Sequence, residues 1–156
     1  MPKRKKSATT EPALEGYVEF LRDLNLVGLG LRECSAKLDR SRYFNAVAES
    51  RSAVRNIEAQ YTLSTQGKNF VDVQASFDLK VRNRNGQDCL ALRCVFEAHF
   101  HCPTFRKEFA ERFATSEARL ALWPYFRQFV SDTTARMAIP PITVPLATRT
   151  RTGSRG

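Results

Sequence analysis

The fold is decided by the stretch Val71–Arg82, which reads VDVQASFDLKVR. Apolar side chains occupy its odd-numbered positions and polar side chains its even-numbered ones. A period of two is typical of a β-strand that is buried on one face and exposed to solvent on the other. Arg55–Ser64 and Leu90–His101 alternate in the same way. The three stretches therefore predict antiparallel strands that share one apolar face.

A fourth strand and two connections complete the predicted sheet. Leu26–Leu38 predicts the first strand, in which two glycines permit a bend or a bulge. Asp39–Ser52 is mostly polar and predicts a long connection. Asn85-Gly86 can supply the positive φ angles of a tight hairpin turn. We expect a four-stranded antiparallel sheet, built as a meander with a crossover after strand one.

Helical patterns flank the sheet and provide its cover. Glu11–Leu24 predicts a short amphipathic helix, and Phe105–Ala118 predicts a second short helix after the last strand. A long C-terminal helix is predicted with Pro124 in its first turn or at a kink. Its apolar stripe consists of Phe126, Phe129, Val130, Thr133 and Met137. Strands followed by helices predict an α+β fold in which the long helix and a short helix cover one face of the sheet.

The charge is concentrated at the two ends of the chain. The net charge is +9, but four bases lie in 1–10 and three in 148–156, and neither tail contains an acidic residue. The segment between the tails is close to neutral. We expect 11–147 to form a single domain between two disordered basic tails. No apolar run approaches the roughly 20 residues that span a bilayer, so membrane insertion is not expected and a cytoplasmic location is.

A search for chemistry gives no catalytic or metal site. The chain has no glycine-rich phosphate loop, nucleophile elbow or paired-histidine zinc motif. Its four cysteines and two histidines match none of the common structural zinc spacings. We therefore expect neither an enzyme, nor a metal, nor a cofactor, and the thiols are expected to be reduced.

The stretch from Leu122 to Asp132, LWPYFRQFVSD, followed by Ile139-Pro140-Pro141-Ile142, resembles the SecB family of export chaperones. The resemblance extends over about 26–146, although only about 122–146 is specific in its motif. The ending of the chain and the lengthened Asp39–Ser52 region are similar to SecB-like chaperones of toxin–antitoxin modules. The resemblance implies a homotetramer, a dimer of dimers, that binds unfolded polypeptides or an antitoxin without ATP.

The resemblance also implies sites. A groove for clients would be lined by Tyr43 and Phe44 on one side and by Ile142, Val144 and Leu146 on the other. The apolar surface on the long helix is more than one sheet face needs, which predicts self-association. The predicted oligomer interface consists of Trp123, Tyr125, Phe126, Phe129, Val130 and Thr133.

Two features of the sequence depart from the export chaperone. That family docks the ATPase SecA through carboxylates on the exposed sheet face, whereas Arg93 stands at the matching position here. Like charge opposes docking of the basic tail of that ATPase. The alternative function is a small basic protein whose tails contact nucleic acid, and such binding would weaken steeply with salt.

Overall fold

The computed structural model describes residues 11–49 and 54–145. The predicted tails 1–10 and 148–156, as well as Leu146, lie outside the described residues, so the domain limits 11–147 stay a prediction. Within the described ranges the chain forms four helices and four strands. In chain order they are α1 (Glu11–Asp23), β1 (Asn25–Leu38), α2 (Arg40–Ala48), β2 (Val54–Gly67), β3 (Phe70–Arg82), β4 (Asp88–His101), α3 (Lys107–Thr115) and α4 (Ala118–Arg136).

The four strands form one antiparallel sheet in the order β1-β4-β3-β2. Strands β2, β3 and β4 form a meander, whereas β1 crosses over to pair with β4. Gly86 in the turn between β3 and β4 has φ +76°, a conformation that favours glycine. The register of β1 shifts between Leu26 and Gly28, where the sequence predicts a bulge. The predicted sheet, including its crossover after the first strand, is confirmed.

Aromatic contacts join the helices to one face of the sheet. Phe77 of β3 stacks on Phe126 of α4, with ring centroids 4.6 Å apart. Phe100 of β4 meets Phe113 of α3 edge-on at 4.9 Å. The alternate side chains of β3 that face this layer are at most 1% exposed, namely Val71, Val73, Ala75, Phe77, Leu79 and Val81. The structure confirms the predicted α+β class.

The opposite face of the sheet carries paired charges. Arg93 contacts Asp78 at 3.0 Å, and His99 Nδ1 lies 2.7 Å from a carboxylate oxygen of Asp72. Both pairs join β4 to β3 and are partly exposed to solvent. Such surface pairs contribute little to stability. Their main effect here is that cations and carboxylates alternate across this face.

Helix α1 packs on α3 rather than on the sheet. Phe20 lies between Phe109 and Phe113, with ring centroids 5.7 and 6.4 Å away. A Cβ at Gly16 would lie 3.3 Å from the Phe109 ring, so the missing side chain lets the two helices approach closely. The Tyr17 hydroxyl donates a hydrogen bond to Glu117, the residue that precedes α4. This contact ties α1 to the start of the long helix.

One predicted connection is wrong, and one of the two positions predicted for Pro124 is excluded. The region after β1 is not an irregular connection, because Arg40–Ala48 forms helix α2. The side chain of Asp39 caps this helix by accepting the Arg42 N–H at 3.0 Å. Helix α4 begins at Ala118, so Pro124 lies inside it and not in its first turn. Burial of Leu122 and Trp123 on the core offsets the hydrogen bond that Pro124 cannot donate.

Candidate functional site

Large apolar side chains remain exposed at several places on the subunit. They are Leu14 and Val18 of α1, Leu26, Val27 and Leu31 of β1, Phe44 of α2, Phe70 of β3, and Leu120 and Tyr125 of α4. Scattered single exposures are normal for a folded domain, whereas a contiguous group indicates a contact surface. The residues of β1 form the most continuous of these groups along the backbone.

One face of β1 forms an apolar row at the edge of the sheet. The register places Leu26 opposite Phe100 and Leu31 opposite Phe96, on the side that the helices cover over β4. This face of β1 is covered only in part, because Leu29 and Leu38 pack against the core whereas Leu26 is 38% and Leu31 48% exposed. We define the β1 apolar row by the side chains on this face: Leu26, Leu29, Leu31, Cys34, Ala36 and Leu38.

β1 is one of the two edge strands of the sheet, and it carries the exposed residues Leu26, Val27 and Leu31. A strand at a sheet edge presents unpaired N–H and C=O groups, which another chain can pair with. β1 is long, with 14 residues, and carries the β1 apolar row beside its free edge. Sequence reasoning missed these residues because the two bulges of β1 interrupt the period of two. The signal that remains is the alternation of Cys34, Ala36 and Leu38 with polar residues after the second bulge.

The two predicted client-binding aromatic residues of α2, Tyr43 and Phe44, differ in their exposure to solvent. Tyr43 is 3% exposed and belongs to the core, whereas Phe44 is 42% exposed. Their rings lie 5.7 Å apart and almost perpendicular to each other. Burial raises the pKa of the Tyr43 hydroxyl. Phe44 therefore offers surface to a ligand, and Tyr43 supports it from beneath.

The chain after α4 returns along that helix in an extended conformation. The Trp123 indole N–H donates to the Pro145 carbonyl at 2.7 Å, and Arg127 Nε donates to the Val144 carbonyl at 3.1 Å. Ile142 is 6% and Val144 3% exposed. Both side chains are largely buried, yet they belong to the lining of a surface pocket between α4 and the chain that follows it. Their role in client binding stays a prediction. Leu146 lies outside the described residues.

Three residues of the predicted oligomer interface on α4 are corrected, because they lie inside the subunit. Trp123, Phe126 and Val130 are at most 7% exposed and pack within the subunit. Phe129 and Thr133 are half-buried, and Tyr125 is 41% exposed. The apolar stripe of α4 is mainly the inner face of a helix that covers its own sheet. Tyr125, Phe129 and Thr133 stay predicted interface residues.

The cysteines and histidines that were considered for a catalytic or metal site do not lie together. Cys102 is buried beside Thr104 after the end of β4, while His99 pairs with Asp72 on the solvent face of the sheet. Within the described ranges, no group of three or more His, Cys, Asp or Glu side chains is placed to hold a metal ion. In the same part of the chain, no helix is both long and apolar enough to cross a membrane.

The sheet order, the helix layer on one face and the extended return after α4 together define a SecB-like fold. The solved structure of the SecB-like chaperone Rv1957 from Mycobacterium tuberculosis, in complex with a ChAD peptide from the Rv1956 HigA1 antitoxin, superposes with a TM-score of 0.69. The superposition covers 88% of this chain and 99% of that chain at 21% sequence identity. This likeness establishes the fold and confirms the resemblance found in the sequence.

A sequence match points to the same protein over a shorter range. A 37-residue segment is 43% identical to the SecB-like chaperone Rv1957 of M. tuberculosis strain H37Rv and, equally, to MT2006 of strain CDC 1551. The segment covers 24% of this chain and 20% of each relative, so it spans about one fifth of their length. No protein-family model matches the chain.

Proposed function

We propose that this protein is an ATP-independent chaperone that holds an unfolded or unstable polypeptide. The observation that carries the proposal is the fold shared with Rv1957 along nearly the whole of that chain. The local sequence match to the same protein supports it independently. A holding function needs exposed apolar area, and the subunit has such area at Phe44 of α2.

Simple physics explains how such a surface selects its clients. An unfolded chain offers apolar side chains in varied order, so its binder needs area more than directional hydrogen bonds. Each Leu-sized or Phe-sized client side chain that is buried contributes roughly 1.5–3 kcal/mol before the entropy of ordering is deducted. Several weak contacts on one assembly raise the avidity without requiring one sequence.

We propose an antitoxin as the client class, in preference to export clients. The matched structure holds an antitoxin peptide. The solvent face of the sheet supports the same choice, because carboxylates on it are paired with cations, as in Asp78–Arg93 and Glu97–Arg32. A face that is balanced in charge attracts a basic partner segment weakly. Docking of SecA, and with it a role in protein export, is therefore the less favoured alternative.

We further propose that the protein acts in the cytoplasm as a homotetramer, a dimer of dimers. Support for self-association comes from the β1 apolar row and the free edge beside it, rather than from the buried stripe of α4. Pairing of two β1 edges would satisfy the unpaired backbone groups of both copies. It would also bury Leu26 and Leu31 next to their equivalents.

The proposal is tested by refolding a denatured model substrate with and without the full-length protein, in the absence of nucleotide. We expect light scattering from aggregates to fall when the protein is present, and a synthetic antitoxin peptide to compete with that protection. Protection should be unchanged or stronger at high salt. Unchanged aggregation, together with no binding of antitoxin peptide by calorimetry, would reject the chaperone function.

A further inference from the structure

Two of the four cysteines of the chain lie directly opposite each other on neighbouring strands. The register pairs Cys34 of β1 with Cys94 of β4. Cys89 and Cys102 lie five and eight residues from Cys94 along the chain, which corresponds to about 17 Å and about 27 Å of extended strand. All four are free thiols in this structure. Cys34 and Cys94 are therefore the one pair in reach of each other.

The geometry of an antiparallel pair brings two thiols near to bonding distance. Directly opposed residues have Cα atoms about 4.5–5.5 Å apart, inside the range of about 4.4–6.8 Å found for disulfides. Both side chains project on the helix side of the sheet, because paired residues share a face. Among the described residues β1 has no neighbour on its other edge, and it shifts register at Leu31/Glu33, just before Cys34. The strand is thus free to make the small approach that an S–S bond requires.

The two thiols differ sharply in access. Cys34 is exposed, whereas Cys94 is fully buried next to Phe77, its partner on β3. Burial raises the pKa of the Cys94 thiol to about 12, so this thiol stays protonated at neutral pH. An external reagent reaches Cys34 first, and Cys94 reacts only afterwards.

We propose that Cys34 and Cys94 form a reversible thiol–disulfide site, closed by low-molecular-weight disulfides of the glutathione class. In the first step the Cys34 thiolate attacks glutathione disulfide, an S–S bond breaks, and one glutathione thiolate leaves. In the second step Cys94 loses its proton to solvent and attacks the Cys34 sulfur, which displaces the second glutathione. The two electrons given up by the cysteines reduce one glutathione disulfide to two glutathione thiols.

Closure would fasten the exposed edge strand β1 to the centre of the sheet without consuming the other two cysteines. It does not depend on the proposed chaperone function, since it rests on the register and on the access of the two thiols. In the proposed assembly a second copy would cover the row that contains Cys34, so the reaction is confined to subunits whose β1 edge is free. The first adduct should accumulate, because attack by the buried Cys94 is the slow step. Raising the pH should speed that second step.

The experiment incubates the reduced full-length protein with glutathione disulfide and follows the intact mass over time. We expect a single glutathionyl adduct first, mapped to Cys34, and then a species two hydrogen atoms lighter than the reduced chain. Peptide mapping should join Cys34 to Cys94. Dithiothreitol should restore the starting mass.

Two variants act as matched controls. Cys34→Ser should give neither adduct nor internal disulfide, and Cys94→Ala should keep the Cys34 adduct to the end of the incubation. Circular dichroism before the reaction checks that each variant is folded. The proposal is overturned if the parent keeps its adduct as long as Cys94→Ala does. It is also overturned if the product joins other cysteines or two chains.

Discussion

Phe126 of α4 lies flat on Phe77 of β3, with ring centroids 4.6 Å apart and an angle of 8° between the ring planes. Both residues are fully buried. Trp123 and Phe96 meet the Phe77 ring at steeper angles from other sides. This stack holds the long helix on the sheet, so the aromatic stripe of α4 serves the stability of the subunit.

The stack predicts a large effect for a truncation on α4. Phe126→Ala removes the ring and leaves a cavity against Phe77, so the free energy of unfolding should fall by about 3–5 kcal/mol. Tyr125→Ala, one residue earlier and 41% exposed, should change it by less than about 1 kcal/mol. Urea unfolding followed by tryptophan fluorescence measures both. Equal losses for the two variants would contradict the inward orientation of the stripe.

The β1 apolar row predicts which substitution disrupts the assembly. Leu31→Glu places a charge on the exposed row, where a second copy would have to desolvate it at a cost of several kcal/mol. We expect light scattering to report a mass below the tetramer of 17.7 kDa subunits. Leu14→Glu, on the outer face of α1, should leave the mass unchanged. A parent protein that is monomeric at micromolar concentration would reject the proposed tetramer itself.

Phe44 offers a test of client capture that leaves the core intact. Phe44→Ser removes an exposed ring from α2, so protection of a refolding substrate should weaken by several-fold while the urea midpoint stays nearly constant. Phe70→Ser, which removes a ring that is 50% exposed at the start of β3, serves as the matched control and should retain full protection. Equal protection by both variants would place the client surface elsewhere.

The buried Cys94 thiol and Tyr61 hydroxyl predict a loss of stability at alkaline pH. Burial raises the pKa of Cys94 from 9.0 and that of Tyr61 from 10.0, each to about 12. Above about pH 9 the unfolded chain therefore releases protons that the folded chain still holds, and stability falls as pH rises through these windows toward 12.

The alkaline prediction is checked by urea midpoints at about pH 8 and about pH 10.5. The drop should be smaller in Cys94→Ala and in Tyr61→Phe than in the parent protein. Tyr61→Phe should cost little at pH 8, because its buried hydroxyl makes no hydrogen bond among the described residues. Tyr125→Phe, an exposed tyrosine, should keep the full drop of the parent.

Strands β2, β3 and β4 could be predicted because apolar and polar residues alternate along each of them. In β3 every second side chain faces the helices, so the spacing alone predicts that Val71, Phe77 and Leu79 are buried. The turn at Gly86 is equally local, since it depends on one backbone conformation. These features require no knowledge of which other element lies nearby.

The missed features depend on distant partners. Helix α2 is only nine residues long, and its two buried side chains, Tyr43 and Ala46, gain that burial from contacts beyond the helix. The cap formed by Asp39 is a local signal that would have located its start. The role of Phe126 could not be read from its stripe, because core and interface helices present the same periodicity. The position of Phe77 beneath Phe126 shows that the stripe belongs to the core and not to an interface.

The crossover of β1 has a consequence for the synthesis of the protein. Leu38 ends the first strand to be made, yet its partner strand is complete only at His101. At elongation rates of about 5–20 residues per second, the 63 intervening positions take roughly 3–13 seconds. Throughout that interval the nascent chain carries a leucine-rich strand with no template to pair with. Each newly made copy therefore passes through a state of the same kind as the clients that we propose it protects.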